Sequence, residues 1–322
     1  MSRCRLRPPH LEKGQWRPLQ SASRECRTYA GTAKDFSDKT RISLRELEEI
    51  ELIDSYFQDV NIDYFIQWRK SKKYMPVLER ESMELLELKH KTQLNVYEKA
   101  SGIFVASDWI AENIKSYVSD PKKVYSVGLG HRYLPIKLTD EILEKRFKNP
   151  TILFVGLNPF MKGFKLMLKA YKIVQKIIPD SKFIFISDFK GLPPKELMEL
   201  KKIKNIKLLN PIRAEILKDF YFNSTIFALP TKFDAWGKVF LEAMSFGLPV
   251  IGSNCCAMPE FIINNHNGYV VNHEPEEIAE KICSLLNSFE NYKRYSKNAL
   301  KISEKFRWDA VVKKILKIIN LH

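Results

Sequence analysis

Two carboxylates and a glycine lie close together in the last third of the chain. Asp234 precedes Gly237 by three residues, and Glu242 follows Asp234 by eight. A glycine at the start of a helix lets the backbone approach a ligand, and the next two amides, those of Lys238 and Val239, would point at an anion with the positive end of the helix dipole behind them. Two acids beside such a helix start suit a polyhydroxylated phosphate ester.

The flanking segments predict the elements that position these residues. Residues 225–230 and 249–253 are apolar runs of the length of buried strands, and residues 239–244 have helical spacing. A strand, a loop, a helix and a second strand form a βαβ unit, and its first loop is a usual place for ligands. The alternative is that Asp234 and Glu242 are solvent-facing helix charges.

This segment resembles a known family. Its sequence, DAWGKVFLEAMSFGLPVI, is similar to the signature of retaining nucleotide-sugar glycosyltransferases of the GT-B fold, family four, and so are Pro259-Glu260 and Asn267-Gly268 further on. The chain departs from the family at Cys255-Cys256-Ala257, where small glycines are usual. The resemblance runs from about residue 96 to the C-terminus. It implies an α/β, GT-B-like fold with two Rossmann-type domains and parallel sheets. We expect the N-terminal domain to be short or incomplete, since no strand with a glycine-rich loop precedes Met83.

The resemblance also implies roles for individual residues. In the family the first acid contacts the donor sugar, which assigns this role to Asp234, although the family usually has Glu there. The second acid contacts the nucleotide ribose, which assigns Glu242. The amides after Gly237, those of Lys238 and Val239, would bind the diphosphate.

A lysine further upstream is a second candidate. Residues 151–156 predict a strand that ends in Gly156, and residues 164–177 predict the helix that follows. Lys162 lies close to that helix start, where it can reach a diphosphate. The element resembles the family's Gly-Arg…Lys-Gly motif, with Leu157 in the place of the arginine, so we expect a substitute cation elsewhere, either Lys238 or Arg213. The alternative is that Lys162 is an ordinary surface lysine.

Three further features carry predictions. The loop containing Pro211 and Ile212 resembles the one that cups the nucleotide base in the family. Glu260 either caps the helix that follows it or faces the sugar, and we favour capping. A core or surface position is favoured for His131 over one in the cleft.

The chain divides into four predicted segments. They are a disordered basic tail over 1–40, a truncated acceptor-side domain over 41–135, a linker over 136–149 and a nucleotide-sugar donor domain over 150–322. The tail could instead be a functional basic arm or a transit peptide, and a misassigned start codon is a further alternative. Within the second segment we expect a helix over 43–58 and a strand over 63–67, besides helices and strands after residue 83.

Composition narrows the function classes. The net charge of +15 attracts nucleic acid, anionic lipid or phosphorylated ligands, or reflects solvated lysine-rich faces. Five cysteines without a C-x-x-C pair favour reduced thiols in a cytoplasmic protein. No apolar run approaches about 18 residues, the length of a membrane span. The basic helix over 308–319 either packs on the protein, as in the family, or contacts the membrane's inner face.

The function predicted from the sequence is therefore retaining, metal-independent, hexosyltransferase-type glycosyl transfer. We expect a UDP- or GDP-linked sugar as the donor, a glycan or lipid-linked hydroxyl as the acceptor and no cofactor. Asp-x-Asp, typical of metal-dependent sugar transferases, does not occur in the sequence. The alternative is a catalytically impaired, nucleotide-sugar-binding remnant of such an enzyme. Specific nucleic-acid binding lacks a matching motif.

Overall fold

The computed structural model describes residues 55–58 and 83–319 of the α/β chain. The described residues fall into two units. The first contains residues 55–58, 83–105, 113–125 and 312–319, and the second contains residues 106–112 and 126–311.

The first unit is built around three short strands. Their bounds, in the order in which they lie in the sheet, are β1 Ser55–Gln58, β2 Gly102–Val105 and β3 Val124–Ser126. Strand β1 pairs in parallel with β2, and all four residues of β2 are buried. Helix α1, Met83–Lys99, precedes β2, and α2, Asp108–Lys115, follows it.

The N-terminal part of the prediction needs one correction. Residues 55–58, expected as the end of a helix, form β1. Tyr56 and Phe57 favour strands, and both pair with the buried strand β2. The predicted tail over 1–40 and the predicted strand over 63–67 lie outside the described residues.

The second unit contains a six-stranded parallel sheet. Its strands are β4 Thr151–Val155, β5 Lys182–Ile186, β6 Ile206–Leu209, β7 Ile226–Leu229, β8 Val250–Ser253 and β9 Gly268–Val271. They lie in the order β6-β5-β4-β7-β8-β9. This is the order of a doubly wound Rossmann sheet, which confirms the predicted fold class. β4 and β7 are buried throughout because helices cover such sheets on both faces.

Helices alternate with these strands and continue after them. Their bounds are α3 Asp140–Lys148, α4 Phe164–Ile177, α5 Pro194–Lys201, α6 Ala214–Asn223, α7 Lys238–Ser245, α8 Met258–Phe261, α9 Pro275–Leu286, α10 Phe289–Glu304 and α11 Trp308–Ile319. On α11, Trp308, Val311, Val312 and Ile315 are buried. The apolar face of this basic helix is thus covered by protein, as the first of the two alternatives predicted. Among the described helices, none has both the length and the apolar character needed to cross a membrane.

The segment over 136–149, predicted as a linker, contains α3. Thr139 caps this helix by accepting a hydrogen bond from the amide of Ile142. The buried Arg146 donates hydrogen bonds to the carbonyl oxygens of Phe222 and Phe246, both at 2.8 Å. The segment is therefore helical over most of its length and anchored through Arg146, while the domain boundaries themselves stay a prediction.

The strand order brings two loops together. The chain leaves β4 towards one side of the sheet and leaves β7 towards the other, and ligands of doubly wound folds bind at the carboxyl ends of strands at this switch point. The amide of Lys232 donates to the carbonyl oxygen of Met161 at 2.8 Å. A Cβ atom on Gly163 would lie 2.0 Å from the carbonyl oxygen of Pro230, so only glycine allows the two loops to approach this closely.

Candidate active site

An ion pair joins the two loops at the switch point. Lys162 Nζ lies 2.6 Å from Asp234 Oδ2, and each side chain is 21% exposed. Lys162 Nζ also donates to the carbonyl oxygen of Phe233 at 3.3 Å. The pair belongs entirely to the second unit and is still accessible to a ligand. Lys162 is therefore a partly buried, paired cation. This contradicts the alternative that it is an ordinary surface lysine.

The second oxygen of Asp234 holds the loop in front of α7. Oδ1 accepts hydrogen bonds from the amides of Gly237, at 2.7 Å, and Trp236, at 3.3 Å. A carboxylate that accepts two amides and an ammonium group has a fixed orientation. The short Asp side chain allows this local turn, because it can reach backbone groups two and three residues ahead.

Lys162 is oriented by packing as well as by charge. A Cβ atom on Gly156 would lie 2.6 Å from Lys162 Cγ and 2.9 Å from its Cβ. The lysine stem thus rests on the backbone of Gly156, at the end of β4. This contact gives the predicted glycine a positioning role, and a ligand contact of Gly156 stays a prediction.

The start of α7 has the geometry that the sequence predicts. Gly237 is the N-cap with φ 76° and ψ 43°, and no side chain of the described residues caps the helix. A Cβ atom here would lie 2.8 Å from Met258 Cε, so both the conformation and the space require glycine. The backbone at Lys238 and Val239 opens the helix, but their binding to an anion stays a prediction.

Glu242 is buried one turn further along α7. It is 3% exposed, which contradicts the alternative of a solvent-facing helix charge. Its Oε1 lies 3.0 Å from Arg132 Nε, and its Oε2 accepts a hydrogen bond from the Tyr221 hydroxyl at 3.2 Å. Burial raises the pKa of Glu242, and the positive charges of Arg132 and Lys238 oppose this shift. Glu242 thus holds a cation, and its contact with a ribose stays a prediction.

Other predicted residues lie elsewhere. Pro211 and Ile212 follow the edge strand β6, which is two strands away from β4 and so about 10 Å from it. Within the described residues, no hydrogen bond or ion pair joins either residue to Lys162 or Asp234. Arg213, considered as a substitute cation, is exposed at the start of α6. The base-binding role of Pro211 and Ile212 stays a prediction.

His131 and Glu260 have structural positions. His131 is 3% exposed, its Nε2 lies 3.0 Å from the carbonyl oxygen of Ser303, and burial lowers its pKa. This agrees with the favoured core position. Glu260 accepts hydrogen bonds from the amides of Asp108, at 2.9 Å, and Trp109, at 2.8 Å. It therefore caps the start of α2 and not the helix that follows it in sequence.

Two thiols beside the ion pair were not predicted as site residues. Cys255 Sγ donates to the carbonyl oxygen of Thr231 at 3.3 Å. A hydrogen bond between the neighbouring thiols raises the pKa of Cys255 and lowers that of Cys256, and the charges of Asp234 and Lys162 act on both. In the sequence these cysteines stand out only because the resembled family usually has small glycines in their place.

Arg132 was the other residue missed. It lies just before the predicted linker and far from Glu242 in sequence, so no local pattern could have joined the two. Its side chain is 46% exposed although its partner is buried. Among the described residues, no group of three or more His, Cys, Asp or Glu side chains is arranged to hold a metal ion.

Comparisons with known proteins identify a family and individual sequences that are similar to this chain. The family described as "Glycosyl transferases group 1" matches residues 136–302, just over half of the chain. An uncharacterised glycosyltransferase of Haemophilus influenzae is 28% identical over 52% of this chain and 48% of its own length. The capsular polysaccharide biosynthesis glycosyltransferase CapM of Staphylococcus aureus is 25% identical over 58% of this chain and 53% of its own length.

A solved structure shares the fold. The crystal structure of HepE from Anabaena in complex with UDP-glucose superposes with a TM-score of 0.62 at 17% identity, covering 83% of this chain and 72% of that one. At this identity the likeness concerns the fold alone. The chain spans about half the length of the first curated relatives that it matches.

Proposed function

Because this chain belongs to the glycosyl transferases group 1 family, we propose that it transfers a sugar from a nucleoside diphosphate donor to an acceptor hydroxyl with retention of configuration. The observation that carries the proposal is the Lys162–Asp234 ion pair at the switch point of the sheet, next to the glycine start of α7. A cation and a helix N-terminus stabilise phosphate charge, and a carboxylate accepts hydrogen bonds from sugar hydroxyls.

The proposed reaction breaks the bond between the anomeric carbon and the diphosphate oxygen. The acceptor oxygen attacks the anomeric carbon from the same face, and its proton passes to the departing diphosphate. The main task of the protein is then to stabilise charge on the leaving group, and such electrostatic stabilisation usually contributes most to the rate enhancement. Lys162 and the backbone at the start of α7 perform this task. Asp234 would receive a sugar hydroxyl as Lys162 turns to the diphosphate.

We propose a UDP-linked hexose as the donor and a glycan or lipid-linked hydroxyl as the acceptor. The fold relative HepE was crystallised with UDP-glucose, and CapM is named for capsular polysaccharide biosynthesis. These relatives support the choice of substrates to test first, and a GDP-sugar is the second donor to test.

The proposed reaction uses no metal ion. Asp234 and Glu242, the two acids of the site, are already bound to Lys162 and Arg132. Binding a divalent cation would require these ion pairs to separate, with two charges losing their partners. Turnover in excess EDTA should therefore equal turnover without it.

The experiment uses the full chain and a panel of nucleotide sugars. Thermal stabilisation identifies the donor, and release of free nucleotide then measures hydrolysis or transfer to added glycans. NMR of the product shows whether an α-linked donor gives an α-linked product. Nucleotide-sugar binding without turnover would support the impaired remnant instead. If no nucleotide or nucleotide sugar binds, the proposed function is wrong.

A further inference from the structure

Arg132 is held in a way that a surface arginine is not. Its Nε lies 3.0 Å from the carboxylate of the buried Glu242. The residue before it, His131, is buried, and its amide donates to the carbonyl oxygen of Phe306 at 3.2 Å. The residue after it, Tyr133, donates from its hydroxyl to the carbonyl oxygen of Ala214 at 2.7 Å. Both the backbone and the side chain of Arg132 are therefore anchored.

The anchoring leaves most of the guanidinium group available. Arginine has five N–H donors, and the structure records a contact for Nε alone, among the residues that it describes. The side chain is 46% exposed, whereas its partner carboxylate is 4% exposed. Nε lies at the buried acid and nearly half of the side chain is exposed, so the edge formed by the two terminal amino groups can receive a ligand. Such an edge matches two oxygens of a phosphate group.

The charge balance of the site favours an anion at this edge. Lys162 is neutralised by Asp234, and the exposed Leu157 offers no charge at the neighbouring loop. Near Glu242 the balance is different, because the cation of the Arg132–Glu242 pair is 46% exposed while its carboxylate partner is 4% exposed. The charge that a ligand meets at this pair is therefore the positive one. A nucleoside diphosphate brings at least two negative charges.

We infer that Arg132 binds a phosphate group of the nucleotide, donating from its terminal amino groups while Nε stays on Glu242. This inference rests on the proposed function and adds a residue to it. Arg132 is then the second cation of the site, in place of the arginine that is absent at Leu157, and Glu242 acts through it as a positioning residue.

A different reading of the same contact predicts the opposite result. If Arg132 only occupies a carboxylate that the ribose needs, removing the arginine frees Glu242, and the nucleotide binds more tightly. The comparison of a nucleotide with its nucleoside separates these cases, because only the nucleotide carries phosphate.

The test measures binding of UDP, GDP and the two nucleosides to the full chain by calorimetry. For Arg132→Ala we expect the affinity for the diphosphate to fall at least tenfold, with nucleoside affinity changed less than twofold. Arg132→Lys should retain part of the diphosphate affinity, because lysine keeps the positive charge but lacks the paired N–H donors of the guanidinium group. Lys137→Ala removes an exposed positive charge five residues further along the chain and is the matched control.

Loss of Arg132 leaves a buried carboxylate without its cation, so the single variant could unfold. The pair Glu242→Gln and Glu242→Gln/Arg132→Ala avoids this problem, and the same loss of diphosphate affinity is expected between them. Unchanged or tighter diphosphate binding overturns the inference, and so does an equal loss for nucleoside and diphosphate. Absence of any nucleotide binding by the unmodified chain refutes the proposed function itself.

Discussion

Replacement of Lys162 by alanine is the most direct test of the site. The ammonium group lies 2.6 Å from Asp234 Oδ2, and the two side chains are equally exposed, at 21%. Removal of a positioned group that stabilises charge on a leaving oxygen lowers kcat by about 10²–10³, which corresponds to about 2.7–4 kcal/mol. We expect this loss in kcat for Lys162→Ala, with a smaller change in KM for the donor.

The same substitution should affect folding only modestly. Asp234 keeps its two amide donors after the lysine is removed, so the carboxylate is not left without partners. An exposed ion pair contributes about 0–1 kcal/mol and a broken buried one costs about 3–5 kcal/mol. For this partly buried pair we expect a loss of about 1–2 kcal/mol in the free energy of unfolding. Most of the chain should therefore stay folded at the assay temperature.

The assay combines steady-state release of nucleotide with urea unfolding. Lys169→Ala removes an exposed lysine of α4, the helix that follows Lys162, and is the matched control. Asp234→Asn keeps an acceptor for the amide of Gly237 but removes the charge, so a double-mutant cycle with Lys162→Ala measures the coupling of the pair. If Lys162→Ala keeps kcat within about threefold of the unmodified chain, or loses activity only through unfolding, the proposed role of Lys162 in leaving-group stabilisation is wrong.

Three other predictions follow from the same geometry. Gly156→Ala should lower kcat, as Lys162→Ala does. The new Cβ atom would lie 2.6 Å from Lys162 Cγ, so the lysine side chain cannot stay in place. Kinetics equal to those of the unmodified chain would contradict this packing. Burial lowers the pKa of His131 from its ordinary 6.5, so the unfolded chain takes up a proton at a higher pH than the folded chain does. The folded state therefore loses stability relative to the unfolded state as the pH falls below about 6.5. Between about pH 7.5 and about pH 5.5 the Tm of the unmodified chain should therefore fall further than that of His131→Gln, and equal slopes would refute the assignment. Alkylation of Cys255 and Cys256 with a maleimide should abolish donor binding, and bound donor should slow the alkylation. In the variant with serine at both positions, the maleimide should have no effect on donor binding. Unimpaired donor binding after complete labelling of both thiols would place them outside the donor site.

Two helices with a strong apolar period were predictable from the sequence to the residue. The bounds of α4 and α11 agree with the predicted ranges 164–177 and 308–319. The nine-residue helix α3 was not predicted, because Leu143 and Arg146 are its only fully buried residues and its other side chains are mostly charged. Its position depends on hydrogen bonds from Arg146 to distant carbonyl oxygens, and no local pattern contains that information.

In the candidate site, too, local relations were predictable from the sequence and long-range contacts were not. The acid, the glycine and the helix start of α7 lie in one short segment, so their relation could be predicted from spacing. The pairing of Lys162 with Asp234 and that of Arg132 with Glu242 depend on strand order, which brings distant loops to one edge of the sheet. The resemblance to a family predicted the first acid and the lysine as site residues, but it contained no equivalent of Arg132.

The two ion pairs of the site differ in what a ligand must do to them. Separating Lys162 from Asp234 leaves two partly buried charges without partners, and under the proposed function a donor replaces both contacts at once, with its phosphate on the lysine and its sugar hydroxyl on the acid. Separating Arg132 from the buried Glu242 would leave a carboxylate without a cation in a medium where that costs several kcal/mol. We therefore expect the proposed ligand to add to the second pair and to exchange with the first. On this hypothesis the anchored arginine binds phosphate without rearrangement, whereas the lysine moves from Asp234 to the leaving group.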